Sequence, residues 1–292
     1  MLNKTKHEFS YSEAFSSTLG WMTAEEQQKL RDSRVAIVGL GGVGGAHAIT
    51  LARLGVGKFR ICDFDTFDLP NFNRQFGSGM STLGQSKADI IAEQIRDINP
   101  EAEIDLWSDP LTVEEAGKFL DDADIYIDSI DFFVLDVRRA LFAAARSKEI
   151  PALTAAPIGT GSAWIIFDPE GMSFEEYFGF ENVETDLNYL RFAIGLAPKG
   201  LHFPYLVDPS RFDFANRKAP STPMGIMLCA GVAATETMNL LLGRGGIKPA
   251  PWFHQFDASA GRKVTGKLWF GARNPLQKMK LRMAARKFLK TD

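Results

Sequence analysis

The sequence predicts an α/β protein, a Rossmann-like and mainly parallel sheet with helices on both faces, plus a smaller antiparallel extension at its C-terminal side. Three observations predict it. Short apolar runs alternate with helical periodicities over about the first 170 residues. The first buried strand runs straight into a glycine-rich turn, Gly39-Leu-Gly-Gly-Val-Gly44. Two late strand signals flank the turn Ala258-Ser-Ala-Gly261.

Each element has a local reason. A helix starts after Thr23, where Thr-Ala-Glu-Glu fits a capping box with Glu26 at the third helical position. Residues 35–38 form an apolar strand covered on both faces. Gly39, Gly41 and Gly44 follow at G-x-G-x-x-G spacing, with Gly42 and Gly45 in addition. The first glycine permits the tight turn, the second lets phosphate approach the backbone, and the third lets helix and strand pack closely. The helix over 46–54 then turns its free N–H groups and positive dipole end toward an anion. Taken alone, this fingerprint fits an adenine-nucleotide site or only a tight turn.

A strand at 59–63, a loop through Asn71 and Gln75, and a helix at 85–98 stopped by Asn99-Pro100 come next. Strands at 103–106 and 125–128 alternate with helices at 113–120 and 133–147, and 152–155 and 163–167 read as further strands. Beyond Asp168 the pattern changes: helical pieces at 173–180 and 185–194 precede a long loop, 197–222, suited to threading a substrate's tail. An apolar helix at 224–242 ends at Gly243. Strands at 252–257 and 263–269 and a basic helix at 276–290 complete the chain. The expected organisation is an N-terminal arm (1–24), one domain (25–270) with a crossover loop at about 168–222, and a basic tail (271–292).

Composition sets ordinary bounds. The net charge of −3 gives no general reason to expect nucleic acid. No apolar run is read as membrane-spanning, and the first seven residues lack the apolar stretch of a secretory signal, so a cytoplasmic location is expected. Two cysteines, Cys62 and Cys229, cannot build a disulfide framework or a four-cysteine zinc site.

The residues after the glycine turn narrow the chemistry. Asp63-Phe-Asp65 ends the second strand, where a carboxylate meets a ribose hydroxyl in dinucleotide sites. Asn71, Arg74 and Gln75 follow in Pro70-Asn-Phe-Asn-Arg-Gln75, and Lys87 opens a helix in Gly84-Gln-Ser-Lys87. A nicotinamide enzyme does not need Asn71, Arg74 and Lys87 around its phosphates, whereas a nucleoside triphosphate does. Asp128-Ser-Ile-Asp131 places two carboxylates at the carboxyl edge of the sheet, and Asp131 is suited to magnesium through oxygen.

This ordered set resembles the ThiF/MoeB/HesA family, adenylating enzymes related to ubiquitin-activating enzymes, over roughly residues 25–242. The family pattern of a glycine turn, D-x-D, S-N-L-x-R-Q, G-x-x-K and D-C-x-D is met at matching spacing. The resemblance implies that the Gly39, Gly41, Gly42 and Gly44 turn faces ATP, that Asp63 meets the ribose, and that Asn71, Arg74 and Lys87 contact the triphosphate. Asp131 would hold Mg²⁺. Asp65 and Gln75 border the nucleotide, where they and Asp128 are expected to brace the loop and sheet edge.

The implied activity is adenylation of a carboxylate with release of pyrophosphate. The first candidate is the C-terminus of a ubiquitin-like small protein. Alternatives are a peptide carboxylate, a modified tRNA nucleoside (not favoured, though a basic tail would serve it), or a non-catalytic nucleotide-binding module. Relatives are homodimers, so a homodimer is expected. The departures also carry information. No zinc is expected, and residues 167–222 hold no cysteine for a thioester. Cys229 and Cys62 read as packing. No arginine occurs between Met1 and Lys29, where relatives often lend one to the partner's site; Lys4, Lys6, Arg138 or Arg139 would have to replace it, or adenylation is impaired. The histidines His202 and His254 and the aromatic run 174–180 read as structural.

Overall fold

We describe the computed structural model over residues 8–181, 186–212 and 216–289, without the side chains of Lys287 and Phe288. Lys4, Lys6 and the expected helix ends at 185 and 290 lie outside the described residues. Eight strands form one sheet: β1 (Arg34–Val38), β2 (Lys58–Cys62), β3 (Glu103–Trp107), β4 (Ile125–Asp128), β5 (Ala152–Ile158), β6 (Gly161–Phe167), β7 (Trp252–Asp257) and β8 (Arg262–Lys267). Their order is β3-β2-β1-β4-β5-β6-β7-β8. The first five are parallel and the rest antiparallel, as the sequence predicts. Successive strands run outward from β1 in one direction and then in the other, so the chain reverses its direction of travel between β1 and β4. Open α/β sheets bind their ligands in the crevice at such a reversal. Register puts Val38, the last residue of β1, opposite both Cys62 and Asp128.

The helices are α1 (Tyr11–Ala14), α2 (Ala24–Asp32), α3 (Gly44–Leu54), α4 (Lys87–Ile98), α5 (Ala116–Phe119), α6 (Asp136–Ser147), α7 (Phe174–Phe178), α8 (Asp186–Leu196), α9 (Pro223–Leu242) and α10 (Pro275–Phe288). Strand alternation sorts the core into two layers. Val35, Ile37, Phe59, Ile61, Ile125 and Ile127 face α2, α3 and α4. Ala36, Val38, Cys62 and Tyr126 face the other way, into a layer that takes the aromatic run: Phe174, Tyr177 and Phe178 are buried there. Phe174 stacks on Phe142 with centroids 4.0 Å apart, so the run is core.

Several boundaries differ from expectation for identifiable reasons. The helix expected at 113–120 shrinks to α5, which holds the weak helix former Gly117; residues 113–115 form a turn, although the Glu115 carboxylate takes the Thr112 N–H in the manner of a capping box. α6 starts at Asp136 instead of 133, because Asp131 caps the Phe133 N–H at 2.9 Å in a turn. Ser86 accepts the Asp89 N–H at 3.2 Å and delays α4 to Lys87. The last strand stops at Lys267 because Phe270 and Gly271 turn left-handed at φ +66 and +55. The capping box at Thr23 and Glu26 is present on both sides. The described part of the N-terminal arm packs on the domain, where the buried Tyr11 hydroxyl donates to the carbonyl of Gly55.

α9 is, among the described residues, long and apolar enough to cross a bilayer, although no such run was read from the sequence. Here it is a core helix: Ile226, Cys229, Ala230 and Ala233 are buried against the β5 and β6 residues Leu153, Ala155, Trp164 and Ile166.

His47 on α3 is fully buried with neither ring nitrogen hydrogen-bonded, and desolvation pulls its pKa down to about 3. The folded state therefore keeps it neutral while the unfolded chain binds a proton below about pH 6.5. Its stabilising contribution is present above that pH and is lost as pH falls toward 3. Replacing it by leucine is expected to flatten the acid limb of a stability–pH curve by up to about 1.4 kcal/mol per pH unit. Urea titrations across pH 3–7 on the native chain and His47→Leu check this, and unchanged slopes would refute it.

Candidate active site

Two of the turn glycines answer to the protein's own packing. Gly39 has φ +85, and a Cβ there would lie 2.4 Å from the Ser129 carbonyl oxygen just past β4. A Cβ on Gly44 would lie 1.7 Å from the Gly39 carbonyl oxygen. These two let the end of β1 nest against the end of β4, at the sheet's reversal point. Gly41 and Gly42 are different. Nothing but the Gln75 amide, at 3.3 Å, approaches the first, and only Ile226 Cδ1, at 3.8 Å, the second. The fold leaves this stretch of backbone open on one side, which is what close approach of a phosphate requires. Two buried side-chain oxygens on this turn have no hydrogen-bond partner: Gln75 Oε1, whose amide faces Gly41, and Ser129 Oγ, whose Cβ abuts Gly44.

Asp63 lies just past β2 and is buried. Its Oδ2 accepts the Leu40 N–H at 2.6 Å and its Oδ1 the Asp65 N–H at 2.9 Å, so it pins the glycine turn to the second strand. Burial raises its pKa; the two backbone bonds and the charge of Lys87 pull the other way. Lys87 opens α4, with its N–H on the Asp65 carbonyl at 2.9 Å and Nζ on Asp65 Oδ2 at 3.0 Å. The lysine side chain is 7% exposed and the aspartate 54%, so the cation is held by a partner that water can reclaim. Asp65 thus braces Lys87, a partner the sequence did not indicate.

The loop after β2 presents Asn71 and Arg74. Asn71 Oδ1 accepts the Asp68 N–H at 2.9 Å, which orients its amide. Arg74 Nη1 donates to the Pro70 carbonyl at 2.8 Å and to Asn73 Oδ1 at 3.1 Å, both uncharged oxygens. Past β4, Asp131 is exposed and accepts the Phe133 N–H through one oxygen only. Asp128 is buried and structural: its Oδ2 takes Arg138 Nε at 2.9 Å and the Thr154 hydroxyl at 2.8 Å.

Sequence reasoning missed the parts played by three residues. Ser129 sits in an otherwise ordinary tetrapeptide, and only the crossing of β1 and β4 shows that it touches the turn. Arg138 donates to the carbonyls of Asp131 and Val134 at 3.1 and 2.8 Å, and so fixes the loop that carries Asp131. Tyr205, in the crossover loop, accepts the Thr160 N–H at 2.9 Å and donates to Asp257, which ties that loop to the β5–β6 hairpin.

Arg138 and Arg139 do not replace the missing N-terminal arginine within this chain's geometry. Arg138 is buried on Asp128, and Arg139 forms a two-point pair with Glu175 at 2.7 and 3.0 Å. Described residues 8–24 contain no cation. His254 has its expected partners, Thr265 Oγ1 and the Lys248 carbonyl, and stacks on Trp164. His202 keeps a ring contact with Phe203, but its buried Nδ1 has no hydrogen-bond partner, contrary to expectation.

Both cysteines are buried, and burial pushes their thiols up to about 12. Cys229→Ala is expected to leave nucleotide chemistry unchanged and to cost about 1 kcal/mol of stability. Non-reducing gels after incubation with MgATP and substrate check this, and a reducible conjugate lost on substitution would overturn it.

The residues present fit a magnesium nucleotide. The open turn, the unpaired Gln75 and Ser129 oxygens, and the Arg74 and Lys87 cations suit a polyphosphate. Among the described residues no cluster of three or more His, Cys, Asp or Glu forms a metal cage. Mg²⁺ riding on phosphates needs only one or two carboxylates, and Asp131 has an oxygen to offer.

The model of the ThiF family matches residues 15–275. The chain belongs to the ThiF family. Similar ThiF-type proteins include the tRNA threonylcarbamoyladenosine dehydratase of Escherichia coli, 32% identical over 55% of this chain and 58% of that protein. The molybdopterin-synthase adenylyltransferase of Escherichia coli is 36% identical over 45% of this chain and 52% of its own length. This chain thus spans little more than half the length of such relatives. Among solved structures, PaaA superposes with a TM-score of 0.67 at 17% identity, covering 91% of this chain and 77% of that one. E. coli MccB, solved with ATP, gives 0.67 at 15% identity over 94% and 75%. At these identities the superpositions establish the fold.

Proposed function

We propose that this ThiF-family chain is an ATP-dependent adenylyltransferase, and that it activates the C-terminal carboxylate of a ubiquitin-like small protein. The observation that carries the reading is the open Gly41–Gly42 backbone at the β1–β4 reversal, with Lys87 on one side held by an exchangeable aspartate. Anions can enter there without displacing any buried partner. In the proposed reaction a substrate carboxylate oxygen attacks the α-phosphorus of ATP. The bond to the bridging oxygen breaks, pyrophosphate leaves with that electron pair, and the acyl-adenylate remains.

The physical obstacle is the approach of two anions. Arg74 offers a planar fork to phosphate oxygens, and Lys87 leaves Asp65 to follow the charge that develops on the departing pyrophosphate. Asn71 donates through its amide nitrogen, while Asp63 holds the turn and offers its remaining lone pairs to the ribose. Mg²⁺, held by Asp131, would neutralise phosphate charge. With both thiols buried and raised, the product is the adenylate itself, passed to a nucleophile from elsewhere. A homodimer in the cytoplasm is the expected working form.

Isotope exchange between pyrophosphate and ATP tests the reading, with small proteins ending in glycine as candidate substrates. No heat on titrating MgATP, or an ordered nicotinamide dinucleotide in the crevice, would sink it. A second reading has its own support: relatives 32% and 36% identical are named as tRNA threonylcarbamoyladenosine dehydratases. Exchange driven by a carboxyl-bearing tRNA nucleoside, and by no protein, would select it.

A further inference from the structure

The C-terminal helix takes no part in the proposed chemistry, and its surface is unlike the rest of the molecule. Between Asp257 and Lys290 every charged side chain is a lysine or an arginine, in a chain whose net charge is −3. One face of α10 is docked on its own protein. Gln277 Nε2 donates to the Ile194 carbonyl at 3.3 Å, and Lys280 Nζ to the Pro198 carbonyl at 2.6 Å.

Beside the docked face, the exposed surface of the helix is apolar where it should be polar. Leu276, Met279 and Met283 follow one another at i, i+3 and i+7 and are 58%, 50% and 63% exposed. Trp269 and Phe270 lead into this stripe, both more than half exposed. Phe270 has φ +66, a conformation costly for a bulky residue, and the outcome is a ring held in solvent. Lys278, Arg282 and Arg286 run beside the stripe at i, i+4 and i+8, all exposed, and Lys267 lies 3.7 Å over the Trp269 ring.

We propose that this face of α10, with Trp269 and Phe270, docks the protein on an anionic lipid leaflet. Interfacial helices have this composition, an apolar stripe that enters the acyl boundary and flanking cations that meet headgroup phosphates. Tryptophan suits the headgroup level, and long cationic side chains reach back to it. Two other occupants fit less well. A second copy of this chain would set one all-cationic face against another. RNA would use the cations but leaves the methionine and leucine side chains in water, since phosphate and sugar offer them nothing to bury against.

Co-sedimentation of the full-length protein with vesicles decides the matter. The protein should be retained by phosphatidylcholine vesicles containing phosphatidylglycerol, released by added salt, and not retained by phosphatidylcholine alone. Lys278→Gln/Arg282→Gln/Arg286→Gln should lower the partition coefficient about a hundredfold. Met279→Ser/Met283→Ser should lower it about tenfold. Circular dichroism and ATP–pyrophosphate exchange should be those of the native chain in both variants. Failure to bind anionic vesicles, or equal retention on neutral ones, overturns the proposal. So does tRNA binding without vesicle retention that survives Met279→Ser/Met283→Ser, which would give the face to RNA.

Discussion

Lys87→Ala is expected to reduce ATP–pyrophosphate exchange by about a thousandfold or more, with the fold intact. The size follows from where the charge is spent. Pyrophosphate leaves with charge that Lys87 alone, among the residues of the α4 N-terminus, can follow, and with its side chain 7% exposed little water screens that charge. The fold survives because the partner left behind, Asp65, is half exposed and rehydrates at little cost. Loss of stability should stay within about 1–2 kcal/mol, read from urea unfolding. Lys87→Arg keeps the charge but loses the compact ammonium, so it should recover binding of ATP better than it recovers exchange. Exchange within a few-fold of native in the alanine variant would remove Lys87 from the chemistry, and with it the argument for a triphosphate at this crevice.

Arg138→Met should have the largest effect on stability, about 3–5 kcal/mol. Both partners of the Arg138–Asp128 pair are 2% exposed, so truncating the arginine strands a buried carboxylate. It also frees the carbonyls of Asp131 and Val134, which Arg138 holds. Against total stabilities of about 5–15 kcal/mol this is a large share. Pairing Arg138→Met with Asp128→Asn should recover part of the loss, because no charge then remains buried and Thr154 keeps an acceptor. Exchange should remain low in the double variant, since the loop bearing Asp131 is still unpinned. Equal midpoints of urea unfolding for Arg138→Met and the native chain would refute this account.

Much of the architecture was legible because it is written in short-range patterns. Val35 to Val38, the glycine spacing, the Thr23–Glu26 box and the Gly243 stop are local, and local chemistry acts the same way in any fold. The motif spacing from Asp63 through Lys87 to Asp131 likewise carried the family resemblance. The start expected for α6 was misjudged because a single side chain, Asp131, takes a backbone donor that periodicity assigns to a helix.

The roles within the site depended on contacts between distant segments. Periodicity could not tell that Gly39 and Gly44 serve packing while Gly41 and Gly42 stay open, since the difference lies in Ser129, brought over by β4. Nor could it tell that Asp65 holds Lys87, that Arg138 is locked on Asp128, or that one side of α10 is docked and the other bare. The chain alone determined the elements, the family pattern and the types of group available. Only the tertiary structure decided which of those groups are committed to one another and which are left without such a partner, because commitment is a matter of burial and of partners that meet only after the strands have crossed.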